Sequence, residues 1–273
     1  GERQRARELG SRRLTADPEL ANVSVTLPAP ALRESWAQAG GDSAHSGGNA
    51  ALGSPLTDAW RSGFGSGSGY RQRITSPPIA VDGSAYTVDA FGQVMAFSLD
   101  RGSRRWSRDS SPRSDRAGQV GGGAAYDGGT LYVASGMAEI MALDPANGEI
   151  KWRASMPAPA RGAPAVADGR IFLPTIQNQL VALSTEDGRL LWTHRAQSVT
   201  AVPLGLPTPA VSGGIVVCGF GAGELSGMRA EDGRVAWTEV LTVANRNPMA
   251  EVAGIHASPS VSEGRVVALG MGG

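Results

Sequence analysis

Beyond residue 33 the apolar positions come in short runs separated by Asp-Gly, Ser-Gly and Glu-Gly dipeptides, and no useful stretch carries the 3.6-residue spacing of an amphipathic helix. This punctuation predicts short strands joined by tight turns. One unit reads clearly. Pro164 to Val166 begins a strand, Asp168-Gly169 turns the chain, and Arg170 to Pro174 forms a second strand. Gln177 to Gln179 turns again, Leu180 to Leu183 is a third strand, and Glu186-Asp187-Gly188 leads into a fourth that opens with Arg189 to Trp192.

The unit repeats. Four eleven-residue segments align without gaps: Ala96 to Trp106, Ala142 to Trp152, Ala182 to Trp192 and Gly227 to Trp237. Each has a glycine four positions before its Trp, at Gly102, Gly148, Gly188 and Gly233. Counting from Trp60, the Trp residues are spaced 46, 46, 40 and 45 apart. A second landmark lies upstream of each segment, at Asp82-Gly83, Asp127-Gly128, Asp168-Gly169 and Ser212-Gly213, and a fifth copy is Glu263-Gly264. Four strands per unit with this period predict an all-β fold, a β-propeller of four-stranded blades. Stacked blades need one large flat filler in each gap, a role Trp suits. The glycine is expected to make the turn that returns its own Trp to the sheet. The small residue at 96, 142, 182 or 227 is expected where the next blade approaches. Trp60 is taken as the start of the first blade's outer strand.

Composition sharpens this picture. Aromatics make up only 5% of the chain, yet six of them are Trp, so each Trp has a fixed structural task. The 38 Gly and 17 Pro suit many short turns. A net charge of zero gives no general attraction to nucleic acid or anionic lipid. Cys218 is the only cysteine, so no intrachain disulfide forms, and its apolar surroundings read as a buried small hydrophobe. No apolar run reaches the ~18 residues of a membrane helix. Residues 1–33 differ from the rest. The first thirteen carry five Arg and two Glu, Thr15 to Glu19 has the pattern of a short helix cap, and Leu27 to Ala31 reads as an extended linker. The reading is a flexible tether over 1–33, with its basic run either solvated or touching lipid headgroups, and a partial propeller over 34–273.

Catalytic chemistry is sparse. His45, His194 and His256 lack metal-ligand spacing. No Gly-x-Ser-x-Gly elbow or phosphate loop is present, and the glycine run at 65–69 lacks a following helix and Lys, so it reads as an inter-strand loop. No acidic cluster has the spacing of a calcium site. No catalytic residue, metal or cofactor is assigned. Function is expected on loops, where two stretches break the economy of the repeat. One is the apolar Val199 to Pro207, with Val202, Leu204 and Leu206. The other is Asn245 to His256, with Glu251, Ile255 and His256.

The copies resemble the PQQ-like propeller repeat, Ala-x-Asp-x-x-x-Gly-x-x-x-Trp. Ala142, Asp144, Gly148 and Trp152 match it fully, while Ser98, Ser184 and Arg229 depart at the Asp position. Two groups share this repeat: quinoprotein dehydrogenases, and the outer membrane protein assembly factor BamB family. Trp36-x-Gln38-x-Gly40-Gly41-x-x-x-His45, the stretch Gly65 to Arg71 and Ser76-Pro77-Pro78 are similar to segments of the second group.

That resemblance implies an eight-bladed propeller on the periplasmic face of the outer membrane, held there by a lipidated cysteine outside this chain. It implies no enzymatic activity. The implied partners are the POTRA domains of BamA, other components of the assembly complex and nascent outer-membrane β-barrel proteins. The two irregular loops would then form the BamA-binding surface through Val202, Leu204, Leu206, Glu251, Ile255 and His256. The Arg of the family's first loop is absent, and Gly254 and His256 stand where its paired Asp would fall. The same loops read equally well as packing on the channel mouth. The alternative is a fragment of a PQQ-dependent dehydrogenase, though a single Cys excludes the adjacent-cysteine disulfide of the alcohol-oxidising members. About five blades are represented here. Eight at about 40–45 residues each need well over 300, so either sequence is missing or the ring closes with fewer blades.

Overall fold

The structure is a computed structural model, and it describes residues 18, 22–24, 26–69, 73–110, 122–199, 205–241, 254–255 and 257–270. The described strands form four antiparallel four-stranded sheets and one two-stranded sheet, each meandering in sequence order. Blade 1 contains β1 (Ile79–Val81), β2 (Ser84–Val88), β3 (Gln93–Ser98) and β4 (Arg104–Asp109). Blade 2 contains β5 (Gly122–Asp127), β6 (Thr130–Ser135), β7 (Glu139–Leu143) and β8 (Ile150–Ser155). Blade 3 is built from β9 (Ala165–Ala167), β10 (Arg170–Thr175), β11 (Gln179–Ser184) and β12 (Leu190–Arg195), and blade 4 from β13 (Ala210–Ser212), β14 (Ile215–Gly219), β15 (Glu224–Arg229) and β16 (Val235–Val240). A fifth unit supplies β17 (Ser260–Ser262) and β18 (Arg265–Val267). The predicted strands of blade 3 match to within a residue or two.

The first hairpin of every blade turns on two residues with positive φ, as a two-residue turn compatible with strand twist requires. They are Asp82-Gly83, Gly128-Gly129, Asp168-Gly169, Gly213-Gly214 and Glu263-Gly264. In blades 2 and 4 the turn therefore sits one residue later than expected, because the second glycine of each Gly-Gly pair joins it. Asp127 and Ser212 are the last paired strand residues instead.

The middle strands are apolar on both faces because a blade lies on each side. The β11 strand is buried throughout, whereas the outer strands alternate partly buried with exposed positions. Contacts run from blade to blade. Val81, Tyr86, Val94 and Ala96 of blade 1 pack on Leu131, Val133, Met141 and Leu143 of blade 2, and similar clusters join blade 2 to 3 and blade 3 to 4.

The Gly–Trp stamp works between blades, which corrects the expectation drawn from the sequence. Gly102, Gly148, Gly188 and Gly233 do lie in turns with positive φ. Each, however, receives the Trp of the preceding repeat. A Cβ on Gly148 would stand 2.6 Å from Trp106, and Gly102, Gly188 and Gly233 meet Trp60, Trp152 and Trp192 in the same way. The indole N–H then donates to the carbonyl three residues before that glycine: Trp106 to Pro145 at 2.9 Å, Trp152 to Thr185 at 3.1 Å and Trp192 to Ala230 at 3.0 Å. Trp60 donates likewise to Leu99. It lies ahead of the four strands of blade 1 and occupies the place of a preceding blade's Trp.

Within each blade the small residue pairs directly with its own Trp across the sheet, as Ala96 with Trp106 and Gly227 with Trp237, and a register shift follows immediately. In blades 1 to 3 an aromatic ring lies beyond the Ala and tilts against the Trp, with centroids 5.8–6.1 Å apart. The small residues at 96, 142 and 182 also lie in the clusters shared with the next blade, as expected.

The described part of residues 22–33 is largely exposed, with Leu32 at 85%, and Ala31 forms a parallel bridge to Ala50. The short helix expected after Thr15 falls largely outside the described residues.

Candidate partner-binding face

Strand alternation separates the two ends of the blades. The β1–β2 and β3–β4 type turns, with their Asp-Gly and Gly–Trp features, lie at one end. The loops linking each outer strand to the next inner strand lie at the other, beside the β2–β3 type turns. The described parts of both irregular loops, at 199, 205–207 and 254–255, belong to this second end.

There the connecting loops touch one another and the ends of adjoining strands. Thr75 donates its hydroxyl to the Gly122 carbonyl at 3.4 Å, and Ser76 and Ala163 close over Gly123 so tightly that a Cβ there would lie 2.5 and 2.9 Å from them. The Leu206 amide donates to the Arg161 carbonyl at 3.0 Å, and Thr208 N–H donates to Ser258 Oγ at 3.0 Å. The turns join the same rim. Asn178 accepts from the Gly221 amide at 2.8 Å and donates to the Gln197 carbonyl at 2.7 Å. Gly254 lies close against Gly221, where a Cβ would stand 3.1 Å from the Gly221 carbonyl oxygen. Burial lowers the pKa of Arg161 on this rim, through desolvation.

Two of the six residues assigned to partner contact are described, and both are buried. Leu206 is 8% exposed, with its backbone fixed to Arg161. Ile255 is 1% exposed and packs on Gly219, where a Cβ would lie 2.5 Å from it, and its amide bonds to the Phe220 carbonyl. The Ile255 side chain joins the rim to blade 4 by packing with Val217 and Leu225. Val202, Leu204, Glu251 and His256 lie outside the described residues. Asn178 and Gly162, whose Cβ position lies 2.5 Å from the Leu206 carbonyl oxygen, went unnoticed as rim residues in the sequence; the available signal was their place in turn and loop segments.

Trp36 to His45 lies along the inner strands, bonded to strands from all five units. Gln38 is 4% exposed there, and its side-chain amide bonds both the carbonyl and the N–H of Val166. Arg33 stacks over Trp36 with its guanidinium carbon 5.8 Å from the ring centroid.

The remaining candidate groups are held in structural roles. His45 Nδ1 meets the Pro259 carbonyl at 2.7 Å, and desolvation by burial lowers its pKa, against smaller raising effects of that hydrogen bond and of Asp42. His194 packs against Phe220 with ring centroids 5.5 Å apart and lies 3.8 Å from the Glu224 carboxylate. Cys218 is fully buried, as expected, and burial raises its thiol pKa far above the ordinary range. Asp89 pins the glycine run: its carboxylate accepts from the amides of Ser66, Phe91 and Gln93. An apolar cavity of about 270 Å³ lies where Trp60, Phe64 and Ile74 cover Ala85 and Phe97 of blade 1, with Ser76 of the rim also in its lining. Among the described residues no group of three or more His, Cys, Asp or Glu could hold a metal ion.

Stacked four-stranded blades, coupled Trp to Gly, define a β-propeller of PQQ-like repeats. The profile of the family described as outer membrane protein assembly factor BamB matches residues 90–273. The chain belongs to that family. It is 29% identical over 169 residues to the outer membrane protein assembly factor BamB of Yersinia pestis, covering 60% of this chain and 42% of that protein. It is 26% identical over 202 residues to the BamB of Moranella endobia, covering 72% and 52%. The chain thus spans about half the length of these curated relatives. Among solved structures, BamB from Moraxella catarrhalis superposes with a TM-score of 0.63 at 16% identity, over 71% of this chain and 57% of that one. The quinohemoprotein alcohol dehydrogenase of Comamonas testosteroni also reaches 0.63 at 16% identity, over 87% and 45%. Likeness at that identity speaks for the fold alone.

Proposed function

We propose that this chain is a non-enzymatic scaffold of the outer-membrane β-barrel assembly machinery, working at the periplasmic face of the outer membrane. Its connecting-loop end docks on the POTRA domains of BamA, with Val202, Leu204, Glu251 and His256 as contacts. Leu206 and Ile255 hold the loops that carry them. Docked there, the propeller positions BamA while nascent barrel proteins insert. The observation that carries this reading is the family match over residues 90–273, which includes both irregular loops. The buried anchors beneath those loops add support, because rigid support for an irregular loop suits recognition.

Retention of the BamA periplasmic region on the immobilised chain tests the reading. Stoichiometric retention that is lost in Leu204→Asp, with unchanged thermal unfolding, is the expected result. Equal retention by both proteins contradicts the loop assignment, and no retention by either contradicts the partner.

The likeness to the quinohemoprotein dehydrogenase keeps one second reading in view, a segment of a quinone-dependent enzyme. Against it stands the lead segment bonded along the inner strands. Dye reduction by an alcohol or sugar, after addition of PQQ and calcium, would establish that second reading.

A further inference from the structure

The inner strand of a blade pairs on one side only, which leaves a row of amides and carbonyls directed away from its own sheet. One position of the repeat recurs there: the residue two before the positive-φ turn pair. It is Ala80 in β1, Tyr126 in β5, Val166 in β9, Val211 in β13 and Val261 in β17. Consecutive inner strands are neighbours. The five equivalent N–H groups therefore form an arc with one donor per blade.

Every donor of that arc is met by the same ten residues, in blade order. The amide of Ala80 bonds the Trp36 carbonyl at 2.8 Å, and that of Tyr126 bonds the Ala37 carbonyl at 2.8 Å. The Val166 amide bonds Gln38 Oε1 at 2.9 Å. The Val211 amide bonds the Ser43 carbonyl at 2.6 Å, and the Val261 amide bonds the Ala44 carbonyl at 2.8 Å. Three carbonyls of the arc are also met: Ala80 by the Trp36 amide, Val166 by Gln38 Nε2 and Val211 by Ser43 Oγ.

The composition of the segment follows from this task. After Ala37 the backbone folds into a tight turn, with Ala37 N–H to Gly41 O and Gly41 N–H to Gln38 O. The main chain therefore turns away at the third blade, and a primary amide substitutes for a peptide group by offering both an acceptor and a donor. Gly40 and Gly41 take φ +82 and +100, and a Cβ on Gly40 would meet the His45 ring at 2.6 Å. Asp42 holds the next turn through the amides of Ala44 and Ser46. His45 then closes the segment on the fifth unit, with Nδ1 at Pro259 and its carbonyl accepting from Ser260 Oγ.

We infer that the arc is a peptide-docking site on the inner strands, and that residues 36–45 are its dedicated occupant, a strap that couples five blades through one amide each. Among the described residues the strand contacts between blades run mainly between neighbours, so their stability is largely a sum of local interfaces. The strap adds a link that spans all of them.

The test uses the full chain with a protease recognition sequence inserted after Leu52, which is 76% exposed. After cleavage the N-terminal piece should stay bound through gel filtration. A labelled synthetic peptide of residues 34–48 should exchange into the nicked protein, and the same peptide with Gln38→Leu should not. Dissociation of the piece on nicking, whether or not the blades remain folded, overturns the inference. In the uncut chain, Gln38→Leu should speed amide exchange at Val166 by roughly tenfold or more, as loss of a buried partner predicts, and exchange should also rise at Tyr126 and Val211. Unchanged exchange at all three overturns the inference.

Discussion

The six-membered ring of the Trp106 indole stands where a Cβ on Gly148 would have to go, 2.6 Å away, so a Trp of one blade is seated by a glycine of the next. Gly148→Ala should therefore cost more than its backbone strain. Gly128 provides the control, because its φ is also positive, at +53, and nothing lies within 4 Å of its Cβ position. A left-handed L-residue costs roughly 1–2 kcal/mol at either site. Gly148→Ala should lose about 1–3 kcal/mol beyond Gly128→Ala through overpacking. Urea midpoints measure both, and equal losses would mean that Trp106 moves aside freely.

That relationship marks how far the sequence could be read. The strands, their turns and the blade period were legible because they are local and repeated. The direction of the Gly–Trp coupling was not, because the partners belong to adjacent repeats 36–42 residues apart and the spacing of four suggested a contact within one turn. The double glycines at 128–129 and 213–214 shifted two turns by a residue because either glycine accepts positive φ. The motif Trp36, Gln38, Gly40, Gly41, His45 was visible as a resemblance. Its physical role was hidden because its partners lie as far as 215 residues away, as with Ser260 and His45.

The loop anchors should respond to charge as core residues. Leu206→Asp and Ile255→Asp each place a carboxylate at a buried site without a designed partner, at a cost on the order of 3 kcal/mol or more. Val235→Asp, at a position 49% exposed on an outer strand, should cost less than about 1 kcal/mol. Thermal unfolding of the three variants checks this ordering, and comparable melting for all three contradicts the rim packing.

His45 gives the strap a pH dependence of known sign. Burial lowers its pKa below 6.5, so the folded state disfavours the proton that the unfolded state accepts. Its contribution to stability is fully present above pH 6.5. It declines as pH falls from there and levels off below the lowered folded value. The groups facing it, Asp42 and the Pro259 carbonyl, moderate the shift without reversing it. In His45→Asn, which tolerates the local φ of +54 and keeps an N–H donor, this component disappears. The difference in melting temperature between parent and variant should be greater at pH 7.5 than at pH 5.5, and a difference independent of pH would contradict the burial argument.

Cys218 should be silent while the chain is folded. Its thiol is fully buried and its pKa lies well above neutrality, so the reactive thiolate is scarce and inaccessible. Reaction with a disulfide reagent should need denaturant. Rapid stoichiometric labelling of the native chain would show that blades 3 and 4 open readily.

The scaffold reading is tested most directly by a photoreactive residue placed at position 204 in cells that carry the BamA machinery, with position 235 on the blade 4 outer strand as the control. The account predicts an adduct with BamA from position 204 and none from position 235. An adduct from 235 alone, or from neither position while the chain is folded and at the outer membrane, would contradict it.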